Sequence, residues 1–577
     1  MTAAGRTVAA QAAGALPLLF LVLASAYSVV TPAWEAPDEI GHFEYVRHVV
    51  LTGRLPTQNP NAPNAAHQPP LYYLSAALLT AAVGPGAYEP PRFNQRSTLV
   101  GHPAGEVNVV VHASSETFPF EGAALALHAG RLVAVLFGAS TVALTVALAR
   151  HAFPEQPNAW LLGGGLVALN PQFLFVGGAM NNDTLVALAG AGAAWATLRT
   201  LDRPDRLRRW ALLGGWLAVG LLAKATAVAP ALAVGLIAAA VIVRRRSIGT
   251  GLRIATALAA PVTLGLAPWI VRNVALYGDP TGYRVYRQAW APSLRSAPFG
   301  LGDLGQLLTT QFRTYWATFG WMNLPAPGWL YLAFAAACLV ALFGLGRGRP
   351  PRAAAVLLGF VLMQELYTLV IALDCNSSCY QGRYLFAAIG PISALLGFGL
   401  ARALPLAGAL SVMAGLAVVA LLAPWLLIRP AYSTVPEPKW RQWLIERPTD
   451  YRVGGAFELV GYDVRPGDGE LRVALYWRAL ARPDFDYSAF VHLIDRDGRI
   501  VAQQDHAPGE ARGYPPREWA VGDLVRDEHL LTAPGIRLDE HRLRVGLYNW
   551  QNGQQLPIRA AERALGGAVV LDWRQHG

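Results

Sequence analysis

The sequence predicts an α-helical polytopic membrane protein with an all-β sandwich at its C-terminal end. Three observations predict it: a charge-poor composition, about eleven apolar runs separated by Arg-rich loops, and a switch to two-residue periodicity after Pro430. Of 577 residues 54% are hydrophobic and 15% charged, against roughly 25% charged in soluble chains, too few to cover the surface of four soluble domains. Disordered, fibrous and disulfide-scaffold classes are excluded by the apolar content, the missing Gly-X-Y period and a total of three cysteines. The net charge of +10 is nearly all Arg, with Lys only at Lys224 and Lys439. It does not imply a nucleic-acid partner; what matters is where the arginines fall.

Runs of about 20 apolar residues cross a hydrocarbon core of roughly 30 Å. They lie near 11–32, 127–149, 159–178, 184–200, 210–224, 226–243, 254–271, 328–345, 353–373, 384–400 and 405–428. The stretch 69–84 is apolar but short, which suits an interfacial or re-entrant segment. Short loops dense in Arg follow in alternation: Arg6, Arg150, Arg203 to Arg209, Arg244 to Arg253, Arg347 to Arg352, and Arg402. The positive-inside rule puts these in the cytoplasm. The loops 33–126, 179–183, 272–327 and 374–383 then face outward, as does the C-terminal domain, and the N-terminus is cytoplasmic. A cleaved signal peptide ending at Ala24-Ser25-Ala26 is the alternative for the first run, but that run continues to Val30.

The expected division is 1–430 for the membrane domain and 431–577 for the sandwich. Strand-like runs fall at 457–465, 471–477, 488–494, 499–504, 524–532, 541–549 and 567–573, separated by turn signals at 466–469, 497–498, 534–535 and 552–553. Seven short strands at this spacing suit an antiparallel sandwich. Tyr476, Tyr514, Trp519 and Trp550 are its candidate glycan-binding aromatics, with core packing the alternative. Cys375 and Cys379 flank Asn376-Ser377-Ser378 in an expected outer loop, where a disulfide persists; two free thiols are the alternative. Cys338 lies in a span. The sequons at Asn182 and Asn376 are read as chance.

The candidate chemistry sits in outer segments. Pro37 is expected at the first position of an amphipathic surface helix whose apolar face is Ile40, Phe43, Val46 and Val50. Asp38 and Glu39 fall in its first turn and Glu35 just before it, where a helix dipole favours carboxylates. His67-Gln68-Pro69-Pro70-Leu71-Tyr72-Tyr73 closes that stretch. Asn181-Asn182-Asp183-Thr184 places an acid at a membrane border, as a helix cap or as a functional group. Arg131, Lys224, Arg272 and Arg383 lie on the side where the topology rule does not call for cations. A lipid-linked phosphate or pyrophosphate would be a fitting counter-charge.

These motifs, with Asn170-Pro171 ahead of Asp183, Pro268-Trp269-Ile270-Val271-Arg272-Asn273 and Tyr277-Gly278-Asp279-Pro280, resemble the GT-C class of membrane glycosyltransferases. That class includes protein O-mannosyltransferases and the aminoarabinose transferases of lipid A. The segments 314–321 and 381–386 look closer to an uncharacterised bacterial membrane family within it. The resemblance covers roughly 10–430 and implies inverting transfer from a polyprenyl-phosphate sugar to a glycan, lipid or protein acceptor at the outer face of the plasma membrane. It places Asp38 as base or metal ligand, Glu39 as its neighbour and Asp183 as the second acid. Arg131, Lys224, Arg272 and Arg383 would hold the donor phosphate, and His67, Gln68, Tyr72 and Tyr73 would line the pocket. A divalent cation, Mg or Mn, on Asp38 and Asp183 occurs in some members of the class and not others. The stretch 85–122, with His102 and His112, departs from the pattern. A polysaccharide polymerase or ligase, a secondary transporter and a non-catalytic anchor presenting the sandwich are the competing readings. The transporter predicts repeated broken spans and acids at the midplane, whereas the acids here collect at one edge.

Overall fold

A computed structural model describes residues 3–94, 97–100, 107–432, 436–467, 469–510, 514–534, 540–561 and 563–573. His102 and the turn residues Asp468 and Gly535 lie outside the described residues. The chain divides into two compact units, one of Met1–Pro90, Asn94–Val109 and Leu125–Tyr432, the other of Pro91–Phe93, Val110–Ala124 and Ser433–Gly577.

The first unit is helical. Its long first helix α1 (Ala3–Val30) is followed by α2 (Glu39–Thr52), α3 (Leu71–Val83) and α4 (Gly122–Ala152). Next come α5 (Pro157–Ala168), α6 (Pro171–Gly177), α7 (Asp183–Asp202), α8 (Leu207–Ala223) and α9 (Val228–Arg245). The rest are α10 (Ile248–Tyr277), α11 (Tyr283–Ala289), α12 (Leu301–Trp316), α13 (Gly328–Gly346), α14 (Arg352–Asp374), α15 (Ile389–Ala403) and α16 (Leu406–Ala423), with a two-stranded hairpin, β1 (Thr318–Phe319) and β2 (Leu324–Pro325), between α12 and α13.

Each of the eleven apolar runs is helical, but the number of clear spans is smaller. Among the described residues nine helices are long and apolar enough to cross a membrane, or ten if α5 and α6 form one broken span. The break has a local cause: Asn170 Oδ1 accepts from Phe173 N at 2.8 Å, and Pro171 starts α6, so a cap and a proline bend the pair by 54°. The remaining run, α8, has 17 residues, at the lower limit of about 17 for a span. As expected, the 69–84 stretch yields only the 13-residue α3.

Helices approach closely where small residues face each other. A Cβ on Gly397 of α15 would lie 2.4 Å from Gly163 N of α5, and one on Gly344 of α13 would lie 1.9 Å from Gly399 O. Membrane helices use such sites to bring backbones into van der Waals contact. Phe20, Tyr27, Phe173, Phe319 and Phe386 fill the centre of this core.

The second unit is an antiparallel sandwich built on β3 (Arg447–Val453), β4 (Phe457–Pro466), β5 (Glu470–Ala479), β6 (Ser488–Ile494), β7 (Ile500–His506), β8 (Leu524–Thr532), β9 (Arg542–Tyr548), β10 (Ile558–Ala560), β11 (Arg563–Gly566) and β12 (Val569–Leu571). The sheets run β11-β10-β3-β4-β5-β8 and β12-β9-β6-β7. Three strands, β3, β10 and β11, escape the sequence reading because they are short or carry polar residues on both faces. Asp527 of β8 accepts from His506 of β7 at 2.9 Å and from His529 at 2.8 Å, tying one sheet to the other.

Three of the four aromatics proposed to bind glycan belong to the interior: Tyr476 and Trp519 are fully buried and Tyr514 nearly so. The rings of Tyr514 and Trp519 join the core between the sheets, Tyr476 packs with Ile445, Val460 and Leu524 in a separate cluster, and the hydroxyls of Tyr514 and Tyr476 are spent on Asp523 and Asp463. Only Trp550, 55% exposed, faces solvent. Part of the 85–122 stretch also has a structural task. Val111 N donates to Arg92 O at 2.9 Å, Arg92 pairs with Glu518, and Ser114 N donates to Asp523 at 2.8 Å, so these segments complete the β unit. His112 is paired with Glu116 at 2.8 Å.

Candidate active site

The first loop and α2 begin differently from the sequence expectation. Pro37 is not helical; α2 starts at Glu39, and Asp38 precedes it in the left-handed region at φ 62°, ψ 3°. Asp tolerates this backbone better than most residues. It turns neighbouring carboxylates to different surroundings. Glu39 is fully buried and Asp38 is 48% exposed. Phe43 and Val46 of the expected apolar face are buried, with Ile40 and Val50 half-buried.

Glu39 is a structural acid. Its oxygens accept from Arg131 Nε at 2.8 Å and Nη2 at 2.6 Å, from Trp34 N at 3.1 Å and from Met180 N at 2.9 Å. Arg131 is itself fully buried and donates to the carbonyls of Ser28, Thr31 and Pro32 at 2.6 to 3.1 Å. Every strong donor on that guanidinium has a protein acceptor, so Arg131 locks α1, α2 and α4 together. Glu35 is likewise buried and accepts from Val109 N at 2.8 Å.

Asp38 faces a different set. Its Oδ2 pairs with Arg383 Nη2, whose Nη1 lies 3.5 Å from Asp183 Oδ2. Lys224 Nζ is 2.5 Å from Asp183 Oδ1. Asp183 is the first residue of α7, where the helix dipole favours its charge, and its N–H is capped by Asn181 Oδ1 at 2.9 Å. Two acids and two bases from four separate segments therefore converge. Partial desolvation acts to raise the half-exposed Asp38 carboxyl, but Arg383 and, at longer range, Lys224 hold it well below the usual carboxylate range. Burial lowers the Lys224 ammonium, opposed in part by Asp183.

Arg383 owes its place to two glycines. A Cβ on Gly382 would lie 2.1 Å from Gln311 O of α12, and one on Gly190 of α7 would lie 1.8 Å from Ala387 O. The 3₁₀ turn Gly382–Ala388 is thus wedged between α12 and α7. Gln381 Oε1 fixes Arg383 Nε at 2.6 Å, and the Tyr384 ring lies 5.7 Å from the guanidinium and 5.6 Å from Lys224 Nζ. The Cys375–Cys379 disulfide is formed just ahead of this turn, with Cα atoms 6.0 Å apart.

His67 and Gln68 reach the cluster through Asn182: Gln68 Oε1 accepts from Asn182 Nδ2 at 3.0 Å, and Gln68 Nε2 meets His67 Nε2 at 2.9 Å. Tyr72 receives Asn181 N at 3.0 Å and Tyr73 meets His42 Nδ1 at 2.8 Å, so both hydroxyls brace the shell behind the acids. Arg272 stands apart, donating to Leu55 O and Pro56 O at 3.3 and 2.6 Å and stacking on Trp269. Of the four cations proposed for a phosphate, Lys224 and Arg383 meet the acids, while Arg131 and Arg272 are used as internal fasteners.

The sequence reading gives no site role to His42, to Asn182, which it takes as a cap or chance sequon, or to Tyr384. His42 is one helical turn after Asp38, with its N–H on Asp38 O at 3.0 Å. Burial lowers its pKa to about 4, so it is neutral near pH 7. Its Nε2, the Asn182 Oδ1 and the Thr226 Oγ1 are buried with no partner among the described residues. The i, i+4 spacing of Asp38 and His42 was the available signal.

The donor set fits a divalent ion poorly. Both Asp183 oxygens face cationic side chains and one Asp38 oxygen is bound to Arg383, so a metal would have to displace fixed positive groups. Among the described residues the one His/Asp/Glu/Cys cluster spaced for an ion is His506, Asp527 and His529 in the sandwich.

The family described as "Predicted membrane protein (DUF2142)" matches residues 121–392. No curated protein matches the sequence. Among solved structures, the chain is similar to ArnT from Cupriavidus metallidurans bound to undecaprenyl phosphate, at 15% identity and TM-score 0.43, over 73% of this chain and 65% of that one. It is similar to the Archaeoglobus fulgidus oligosaccharyltransferase AglB in complex with an inhibitory peptide and a dolichol-phosphate, at 13% identity and TM-score 0.42, over 75% and 57% of the respective chains. The match to the S. cerevisiae protein O-mannosyltransferase complex Pmt1-Pmt2 bound to the sugar donor covers 53% of this chain and 36% of that one, at 14% identity and TM-score 0.32. The chain therefore spans under two thirds of the length of each of these proteins.

Proposed function

We propose that the protein is an inverting membrane glycosyltransferase that moves a sugar from a polyprenyl-phosphate donor to an acceptor hydroxyl on a glycan, lipid or protein. The reaction occurs at the outer face of the plasma membrane, with the N-terminus in the cytoplasm and the β unit outside. The observation that carries this reading is the half-exposed Asp38 carboxylate tied to buried Arg383, which also faces Asp183 and, through it, Lys224.

Each group has one task. The acceptor oxygen attacks the anomeric carbon as the bond to the phosphate oxygen breaks, and the acceptor proton passes to Asp38. The departing polyprenyl phosphate keeps the bonding electrons, and Arg383 and Lys224 stabilise the charge that grows on it. A carboxylate paired with Arg is a weak base. Donor phosphate competes for Arg383, and as that guanidinium swings toward it the basicity of Asp38 rises. Asp183 holds Lys224 and Arg383 in position, and no metal is required. The unpartnered His42 Nε2 and Asn182 Oδ1 supply hydrogen-bonding positions for sugar hydroxyls.

The test is transfer from a panel of labelled polyprenyl-phosphate sugars by the purified chain in proteoliposomes, with and without EDTA. The expected result is EDTA-resistant product from at least one donor, reduced about 100-fold or more by Asp38→Asn. Transfer unchanged by Asp38→Asn would overturn the assignment.

A further inference from the structure

The arginines at the other end of α7 form a site that glycosyl transfer does not use. The helix has 20 residues and rises about 1.5 Å per residue, so its C-terminal turn is roughly 30 Å from Asp183. There a cavity of about 690 Å³ opens between the last turns of α4 and α7 and the start of α8, lined by Arg150, Arg199, Arg203 and Arg209 with Trp195 and Asp202. Asp202 is the single carboxylate in the lining, and it is engaged by His151 Nε2 at 3.0 Å.

Among the described residues none of the four arginines pairs with a carboxylate. Two are held in place by indole rings: Arg150 lies 5.3 Å from the Trp160 ring and Arg199 4.8 Å from that of Trp195. Arg209 is drawn inward onto Arg199 O. Arginines steadied by stacking keep their in-plane N–H forks free for planar, bidentate anions, phosphate above all.

We infer that this cavity binds the phosphate headgroup of an anionic phospholipid in the leaflet opposite the Asp38 cluster. A headgroup is favoured over a free anion because the cavity lies at the ends of α4 and α7, both long and apolar enough to span, beside Trp160 and Trp195, and indoles are enriched at the headgroup level. Basic pockets between helix ends hold phosphate-bearing headgroups in this way. The volume accommodates more than one phosphate, so a diphosphate lipid of the cardiolipin type binds more tightly than phosphatidylglycerol. Lying a helix length from the acids, it is not the donor site, and it stands whether or not the proposed transfer reaction does.

The test is native mass spectrometry of the delipidated full-length chain titrated with cardiolipin, phosphatidylglycerol or phosphatidylcholine. The expected result is at least tenfold tighter retention of cardiolipin than of phosphatidylcholine. Arg203→Gln with Arg199→Gln should weaken cardiolipin retention about fivefold or more, while Arg244→Gln with Arg246→Gln, equally basic but outside the cavity, leaves it unchanged. Equal loss in both double variants would reduce the effect to general surface charge and overturn the site. Displacement of the lipid by millimolar pyrophosphate would overturn the headgroup assignment in favour of a soluble anion. Should the first pair fail to fold, Arg203→Gln alone is read against Arg244→Gln by the same criteria.

Discussion

At the residue scale, adjacent acids Asp38 and Glu39 have opposite fates because Asp38 itself takes a left-handed backbone just before the helix begins. Glu39 and Arg131 are a fully buried pair, and removing one partner of such a pair costs roughly 3–5 kcal/mol through the stranded charge. Glu39→Gln is therefore expected to lower the melting temperature sharply, and activity only as a consequence, whereas Asp38→Asn cuts transfer about 100-fold or more with the melting temperature nearly unchanged. Thermal melts of the two variants in the same detergent check this. Lys224 sets a pH limit. Its pKa is lowered, so it is charged at low pH and loses its proton, and with it the proposed grip on phosphate, before ordinary lysines do. The alkaline limb of kcat/KM should fall at lower pH than the titration of an ordinary lysine, and Lys224→Arg should move that limb upward. A limb unmoved by the substitution would assign it to another group.

At the scale of elements, the site depends on how tightly the turn carrying Arg383 is wedged. Gly382→Ala places a methyl 2.1 Å from Gln311 O, and overpacking of this kind costs about 1–3 kcal/mol. We expect a lower melting temperature and at least a tenfold loss of transfer, with Gly359→Ala, which meets nothing within 4 Å in α14, as the neutral control. Much of this level was legible in the sequence. Hydropathy located every apolar helix, and sidedness grouped Asp38, Asp183, Lys224 and Arg383 before any coordinates. It grouped Arg131 and Arg272 with them because a sequence shows which end of a helix a charge occupies, not which way round the helix it points. Asn170-Pro171 carried a legible cap and N1 proline, but the surrounding apolar run masked the bend. Pro37 misled, because a proline suited to a first helical position is also suited to the turn before one.

At the scale of the whole molecule, a bundle of apolar helices and a sandwich were foreseeable from period and composition, whereas recruitment of residues 91–93 and 110–124 into the β unit was not. That recruitment joins segments over 300 residues apart, beyond the reach of any local pattern. The proposed orientation has its own check. In a Cys338→Ser background, an impermeant maleimide should label Trp550→Cys in intact cells, and Arg349→Cys only after permeabilisation; the reverse pattern would invert the topology. The central claim is that Arg383 divides itself between Asp38 and a lipid-borne phosphate. It is tested most directly by the affinity for polyprenyl phosphate of Asp38→Asn against the unaltered chain. Relief of competition for Arg383 predicts several-fold tighter binding in the variant, even as transfer is lost. Weaker binding in Asp38→Asn would contradict the account.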